Sequence, residues 1–372
     1  MNSKLNICLI EPVFHKAFIS PSSNLEKILF SLSNNFYKIK GVSSDLNIRN
    51  DNYNEYIIIH KATNNGFLRI LRYIFLQLKM SFKLISLQKE IDICIFFNGS
   101  TFILPMITSK LLRKKVLWLL PSSLKKMSYY NDNSFSFFLN IMQDLGYNIV
   151  DNIILYSPNL INEWELEKYN DKISSLHRHF LNFNKFRITK KYDQREDIIG
   201  YIGRLEKEKG ICNFVKSIKH IIKDNNNLKV LIIGDGSLKD RIILYIQTYN
   251  LQNHVELINW VEHEELPKYL NQLKLLIIPS YTEGLPNTML EAMACGTPIL
   301  TNSVGAIPDY IINEKTGFLM NNNSEFYIKD NIIKSLEYPK IDEIIENANK
   351  IANTEFSYNN VVKKWRNFLK KI

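Results

Sequence analysis

Along the chain, short runs of apolar and β-branched residues alternate with longer stretches in which apolar positions recur every three or four residues. The first pattern is that of buried strands and the second that of amphipathic helices. Their alternation predicts a parallel α/β architecture. In the first half, strands are expected over 6–10, 56–60, 92–97, 115–120 and 152–156, with helices near 23–34, 67–89, 101–113, 134–146 and 158–169. A polar, aperiodic segment over 182–197 reads as a linker. A second series follows, with strands over 198–203, 228–234, 255–258, 275–279 and 298–301 and helices near 211–223, 237–249, 264–271, 287–295 and 308–313. Three further helices, near 324–337, 341–352 and 358–370, close the chain. The expectation is two doubly wound Rossmann-like domains, 1–185 and 186–355, with a terminal helix over 356–372 packing back toward the first. Open α/β sheets bind ligands beyond the carboxyl ends of their strands, so chemistry is expected in a cleft between the domains.

Composition narrows the class. The chain has 372 residues, 45% hydrophobic and 23% charged, which suits buried cores and excludes collagen-like, low-complexity and disordered chains. Cys8, Cys94, Cys212 and Cys295 lie far apart without C-x-x-C spacing, so neither a disulfide framework nor a zinc site is implied and a reducing cytosol is the default. The apolar run over 6–10 is too short for a secretory signal. The most apolar stretch, 91–107, is interrupted by Asp92, Asn98 and Gly99, whereas a spanning helix wants about 20 apolar residues. A cytoplasmic protein is expected, free or at the inner face of the cell membrane. The net charge of +10 is uneven: residues 1–186 hold 22 Lys and Arg against 14 Asp and Glu, and residues 187–372 hold 25 against 23. This points to an anionic surface partner for the first half, or to a lysine-rich coding bias.

Candidate chemistry concentrates in Pro279-Ser280-Tyr281-Thr282-Glu283-Gly284-Leu285-Pro286-Asn287 and the following Glu291-Ala292-Met293-Ala294-Cys295-Gly296-Thr297-Pro298. A buried strand ends at Pro279, a loop carries Glu283 and Gly284, and Pro286 sits just ahead of a short helix, where its missing N–H costs nothing. The free N–H groups of that first turn suit a phosphate. Glu283 can accept hydrogen bonds from a sugar's hydroxyls and Glu291 from a ribose.

This block resembles the E-x7-E motif of retaining GT-B glycosyltransferases, in particular glycosyltransferase family 4. Gly203-Arg204-Leu205-Glu206-Lys207-Glu208-Lys209-Gly210 is similar to that family's G-R-x4-K-G element. Val230 to Gly236 resembles its next strand and turn, and Val255 to Trp260 the segment bordering the nucleobase, with Asn259 where glycine is usual. Gly305, Pro308 and Gly317 fall where its closing segments lie. The likeness covers about residues 198–320. It implies a GT-B fold and a retaining, metal-independent glycosyltransferase without cofactor. The implied partners are a nucleotide-sugar donor and a saccharide or lipid-linked acceptor, in the making of a surface polysaccharide such as O-antigen or capsule. It implies catalytic roles for Glu283, Arg204 and Lys209, and donor binding by Gly203, Gly284, Leu285, Pro286, Asn287, Glu291, Gly234 and Trp260. Two alternatives share the architecture: a 2-epimerase-like enzyme acting on nucleotide sugars, and a non-catalytic subunit that binds them. No nucleic-acid partner is implied.

Several of these residues have plainer readings. Gly234-Asp235-Gly236 is also an ordinary turn, and Trp260 also reads as a core residue. His177, His179, His220, His254 and His263 read as structural or solvent-exposed. Where the family carries a glycine-rich loop after the first strand, residues 11–21 contain no glycine. The stretch 67–85 combines Leu71, Phe75, Leu78 and Phe82 with Arg69, Arg72, Lys79 and Lys83 at helical spacing. It is either a core helix whose cations edge the cleft or a helix lying on an anionic membrane.

Overall fold

A computed structural model describes residues 5–14, 23–43, 54–60, 66–98, 102–122 and 136–372. The chain divides into two compact units, Met1–His179 with Val361–Ile372, and Phe180–Asn360.

The first unit is built on seven parallel strands: β1 (Ile7–Phe14), β2 (Phe36–Ser43), β3 (Asn54–His60), β4 (Ile93–Phe97), β5 (Lys115–Leu119), β6 (Asn152–Leu155) and β7 (Ile173–Ser175). Their spatial order is β3-β2-β1-β4-β5-β6-β7. Successive strands add on one side of β1 and then on the other, as in a Rossmann sheet. The crossovers from β3 to β4, β4 to β5 and β5 to β6 all run in one direction. Right-handed connection therefore puts helices Gly66–Ser86, Ile103–Leu111 and Ser136–Ile149 in one layer. The core holds the central strands and Trp118, whose ring lies 5.1 Å from that of Tyr147. Trp365, from the end of the chain, donates through Nε1 to the His177 carbonyl at 2.9 Å.

Strand β2 departs from the pattern expected of the sequence, because Lys38 and Lys40 interrupt it. Both are held by carboxylates: Lys38 Nζ lies 2.5 Å from Glu26, 3.2 Å from Glu11 and 3.8 Å from Glu55, and Lys40 lies 2.6 Å from Glu55. Two ammonium groups face three carboxylates there. Burial, reinforced by the charge of Glu26 and opposed by Lys38, lifts Glu11 to about 7. The edge strand β7 is equally short of signal, at three residues. The helix expected near 158–169 is instead a short helix, Asn159–Glu163, and a 3-10 turn, Glu167–Lys172. The break falls at Glu165, which adopts the left-handed conformation at φ 58°.

The second unit holds β8 (Ile198–Ile202), β9 (Lys229–Ile233), β10 (Val255–Ile258), β11 (Leu275–Ile278), β12 (Ile299–Asn302) and β13 (Phe318–Met320). Their order, β10-β9-β8-β11-β12-β13, repeats that of the first unit, and every pair is parallel. Helix Ile211–Asp224 buries Phe214, Val215 and Ile218 on this sheet, and Glu325–Leu336 adds Ile328 and Ile332. The edge strand β13 was not expected. The helix expected near 308–313 is a single 3-10 turn, Ile307–Asp309. The hydroxyl of Thr316 accepts from Ile312 N and donates to Tyr310 O, taking over the peptide groups that a longer helix would need.

The segment 182–197 is also no free linker. Phe186 is buried, and the buried Arg195 guanidinium donates to the carbonyls of Lys190, Leu273 and Cys295 and to Thr297 Oγ1. That one side chain ties the segment to two loops of the second unit.

Candidate active site

The carboxyl end of β11 leads through Pro279 into the loop carrying Glu283. Lys209 approaches from the 3-10 turn Lys207–Lys209, which follows β8. The turn closes on the end of β11 because Gly210 adopts φ +68°, and a Cβ there would lie 2.0 Å from the Pro279 carbonyl oxygen. Only glycine permits that approach. Lys209 Nζ then reaches Glu283 Oε1 at 2.6 Å, and Ser280 Oγ donates to the same oxygen at 2.7 Å. The pair is largely shielded from water, so its geometry is set by the fold and not by surface chance.

Arg204, on the loop after β8, takes a different partner. Its Nη2 lies 2.9 Å from Glu208 Oε1, and the guanidinium stays half exposed while Glu208 is buried. Glu208 Oε2 has no partner among the described residues. The Tyr201 hydroxyl donates to the Arg204 carbonyl at 2.6 Å. Burial, and next the charge of Glu283, hold the Tyr201 hydroxyl well above its ordinary range, so it remains a donor.

Helix Asn287–Ala294 begins immediately beyond Pro286, which caps it in an extended conformation, and Leu285 is buried beside it. Gly305, at φ +62°, lets the following loop pass close to Glu283, and Ala306 N donates to the Gly284 carbonyl at 2.8 Å. The first turn of the helix is therefore fixed from both sides. Its end is equally defined, since Gly296 turns left-handed and Thr297 N donates back to the Ala292 carbonyl.

Glu291 sits within this helix, buried, with Oε1 2.7 Å from His263 Nε2. His263 Nδ1 lies 3.2 Å from Lys185 Nζ, and its ring stacks obliquely near Phe186 at 5.1 Å. An ammonium group can only donate, so Nδ1 accepts and the imidazole is the neutral tautomer that donates from Nε2 to Glu291.

The fold thus brings Lys209, Glu283 and Ser280 together, and places Arg204 on the same loop as Lys209. Gly203 and Gly234 close β8 and β9, their N–H groups donating to Ile233 and Ile258 carbonyls at 3.0 Å. Trp260 is 62% exposed, so its core reading is corrected. Among the described residues, no group of three or more His, Cys, Asp or Glu side chains is arranged to hold a metal ion. Ser280 and Glu208 have no assigned role in the sequence, and His263, which reads there as structural or solvent-exposed, contacts Glu291. The i,i+4 spacing of Arg204 and Glu208 was visible there. The contact of His263 with Glu291, 28 positions away, had no local signal.

Residues 182–351, a little under half of the chain, match the family described as glycosyl transferases group 1, and every residue just described from Lys185 onward lies within them. The capsular polysaccharide biosynthesis glycosyltransferase CapM of Staphylococcus aureus is 29% identical over 43% of this chain and 42% of its own length. The poly(ribitol-phosphate) alpha-N-acetylglucosaminyltransferase of Staphylococcus aureus (strain COL) is 29% identical over 50% of this chain and 38% of its own. The chain thus spans about two fifths of the length of these relatives. Anabaena HepE, solved in complex with UDP, superposes with a TM-score of 0.76 at 15% identity, covering 98% of this chain and 100% of HepE. That likeness shows the fold, which is GT-B, with a Rossmann-like sheet in each unit.

Proposed function

We propose that the protein is a retaining, metal-independent glycosyltransferase that moves a sugar from a nucleotide-sugar donor to a saccharide or lipid-linked acceptor of a surface polysaccharide. The observation that carries this reading is the Lys209–Glu283 pair, held with Ser280 at the carboxyl end of β11 and just ahead of helix Asn287–Ala294. Lys209 and Arg204 supply fixed positive charge for a leaving nucleoside diphosphate, and the helix N-terminus supplies N–H donors. Glu283 accepts hydrogen bonds from the donor sugar, and Glu291 takes those of a ribose. The matched family, the two relatives named for sugar transfer and the neighbour solved with UDP all support a nucleotide-sugar donor. The retaining outcome, with front-face attack in a short-lived ion pair, rests on the likeness of the Glu283…Glu291 spacing to retaining enzymes. A lipid-linked acceptor would bring the protein to a membrane without spanning it, in keeping with a described chain whose helices are all too short or too polar to cross one.

The test is transfer from a panel of radiolabelled nucleotide sugars, with and without EDTA. Lys209→Ala and Arg204→Ala should each lower kcat/KM about tenfold to a hundredfold, the worth of a charge-assisted hydrogen bond of about 1.5–3 kcal/mol. Activity should survive chelation. Wild-type rates in both variants would refute the assigned roles. Loss of activity on chelation, restored by Mg²⁺ or Mn²⁺, would refute metal independence. Donor breakdown with no product on any acceptor would favour the epimerase-like alternative.

A further inference from the structure

The outer surface of the helical layer in the first unit is apolar where a protein surface is ordinarily polar. Helix Gly66–Ser86 turns Leu76, Met80 and Leu84 onto the sheet. On the opposite side, at alternating spacings of four and three, stand Leu71, Phe75, Leu78, Phe82 and Ile85, all exposed, Phe75 by 61% and Phe82 by 68%. The neighbouring helix Ile103–Leu111 is locked against it, with Leu104 N donating to Gln77 Oε1 at 3.2 Å and the Tyr73 and Phe102 rings stacked at 6.0 Å. It adds Ile107 and Leu111, the latter 78% exposed. The third helix of the layer, Ser136–Ile149, adds Ile141 and Leu145. Isolated exposed leucines are ordinary, but rows of them on three neighbouring helices mark an interaction surface.

Charge identifies the partner. The third helix carries Asp144 and no cation, but from residue 66 to residue 115 the chain has nine Lys and Arg against two carboxylates, Glu90 and Asp92. Both carboxylates are engaged, Glu90 by the Tyr37 hydroxyl at 2.9 Å and Asp92 by Asn6 N at 2.8 Å. Lys79 runs beside the apolar row, and Lys83 lies above the Tyr56 ring at 3.4 Å. Lys110, paired with Asp151 at 2.7 Å, and Arg113 flank Leu111. We propose that this helical layer docks on an anionic lipid surface. The aromatic and aliphatic side chains enter the headgroup boundary, and the flanking cations meet lipid phosphates. A second copy of the chain is a poor occupant, because like-charged flanks would face each other across the interface. A soluble polyanion would leave Phe75 and Phe82 in water. The proposal stands on the first unit alone and does not depend on the glycosyl-transfer reading.

The experiment is co-sedimentation of the full chain with vesicles of phosphatidylcholine alone and of phosphatidylcholine with phosphatidylglycerol, at low and high salt. The wild type should bind the anionic vesicles, lose binding as salt rises and ignore the neutral ones. Phe75→Ser with Phe82→Ser should abolish binding while leaving the melting temperature unchanged, since both side chains are exposed. Lys79→Glu with Arg113→Glu should weaken binding by at least about fivefold per cation removed. Equal or negligible binding of the wild type to both kinds of vesicle would overturn the proposal. So would a dimer of the wild type, dissociated by Phe75→Ser with Phe82→Ser, that does not sediment with anionic vesicles.

Discussion

At the scale of single residues, the site separates groups by the partner each is given. Lys209 is paired with Glu283, Arg204 keeps half its guanidinium in water, and Glu291 is buried against one histidine. His263 does not face the reaction in the proposed reading; it orients the carboxylate that would hold the ribose. His263→Ala should therefore raise the donor KM about twofold to tenfold, the net worth of a typical intramolecular hydrogen bond, with kcat nearly unchanged. Gln at that position, which can also donate, should recover part of the loss. Initial-rate kinetics over donor concentration checks this, and an equal fall in kcat for both substitutions would mean that His263 has another role. Sequence spacing located Glu283 and Glu291, but the partner of each is a product of chain folding.

At the scale of elements, the site depends on how closely the turn after β8 approaches the end of β11. A left-handed φ costs an ordinary residue about 1–2 kcal/mol, and at Gly210 the added Cβ would also strike a backbone carbonyl that cannot swing aside. Gly210→Ala should lower the urea midpoint by more than that strain alone implies, and should cut transfer activity even in the folded fraction, because Lys209 would be displaced from Glu283. Denaturant unfolding with parallel activity measurement tests it. An alanine variant with wild-type activity would show that the close approach is dispensable. The segment 182–197 makes a related point. Its polarity reads as a linker, yet Arg195 satisfies three carbonyls and a hydroxyl that would otherwise lack donors.

At the scale of the whole molecule, excess positive charge and buried ionisable groups make stability depend on pH in opposing ways. Glu11, lifted to about 7 from 4.5, holds a proton in the native state that the unfolded chain has released. Its contribution therefore falls as pH rises from about 4.5 to 7, by up to about 3 kcal/mol. Burial, and next the charge of Lys364, hold His177 near 3, so it costs stability as pH falls below 6.5. Comparing the wild type with Glu11→Gln cancels the histidine contribution. The difference in unfolding free energy should shift in favour of the glutamine variant between pH 5 and pH 8. A constant difference across that range would place the Glu11 carboxyl at an ordinary value.

The alternation of strand and helix patterns, the doubly wound class and the E-x7-E block were all determined by the sequence, because each is written in local periodicity or in short spacings. Most strands and helices form where their apolar pattern placed them, since burial of that pattern is what drives them. The exceptions share one cause. Strand β2 carries lysines whose neutralising glutamates come from Glu11, Glu26 and Glu55, and the three-residue strands β7 and β13 exist only because a neighbour offers hydrogen bonds. The helix Gly66–Ser86 was legible as amphipathic, but which apolar row would be buried was not, as both rows have helical spacing. Tertiary packing chose Leu76, Met80 and Leu84 for the core and left Phe75 and Phe82 outside. In the same way it gave Glu291 to His263 and Lys209 to Glu283, since ion pairs and hydrogen bonds depend on distances in space that separation along the chain does not encode.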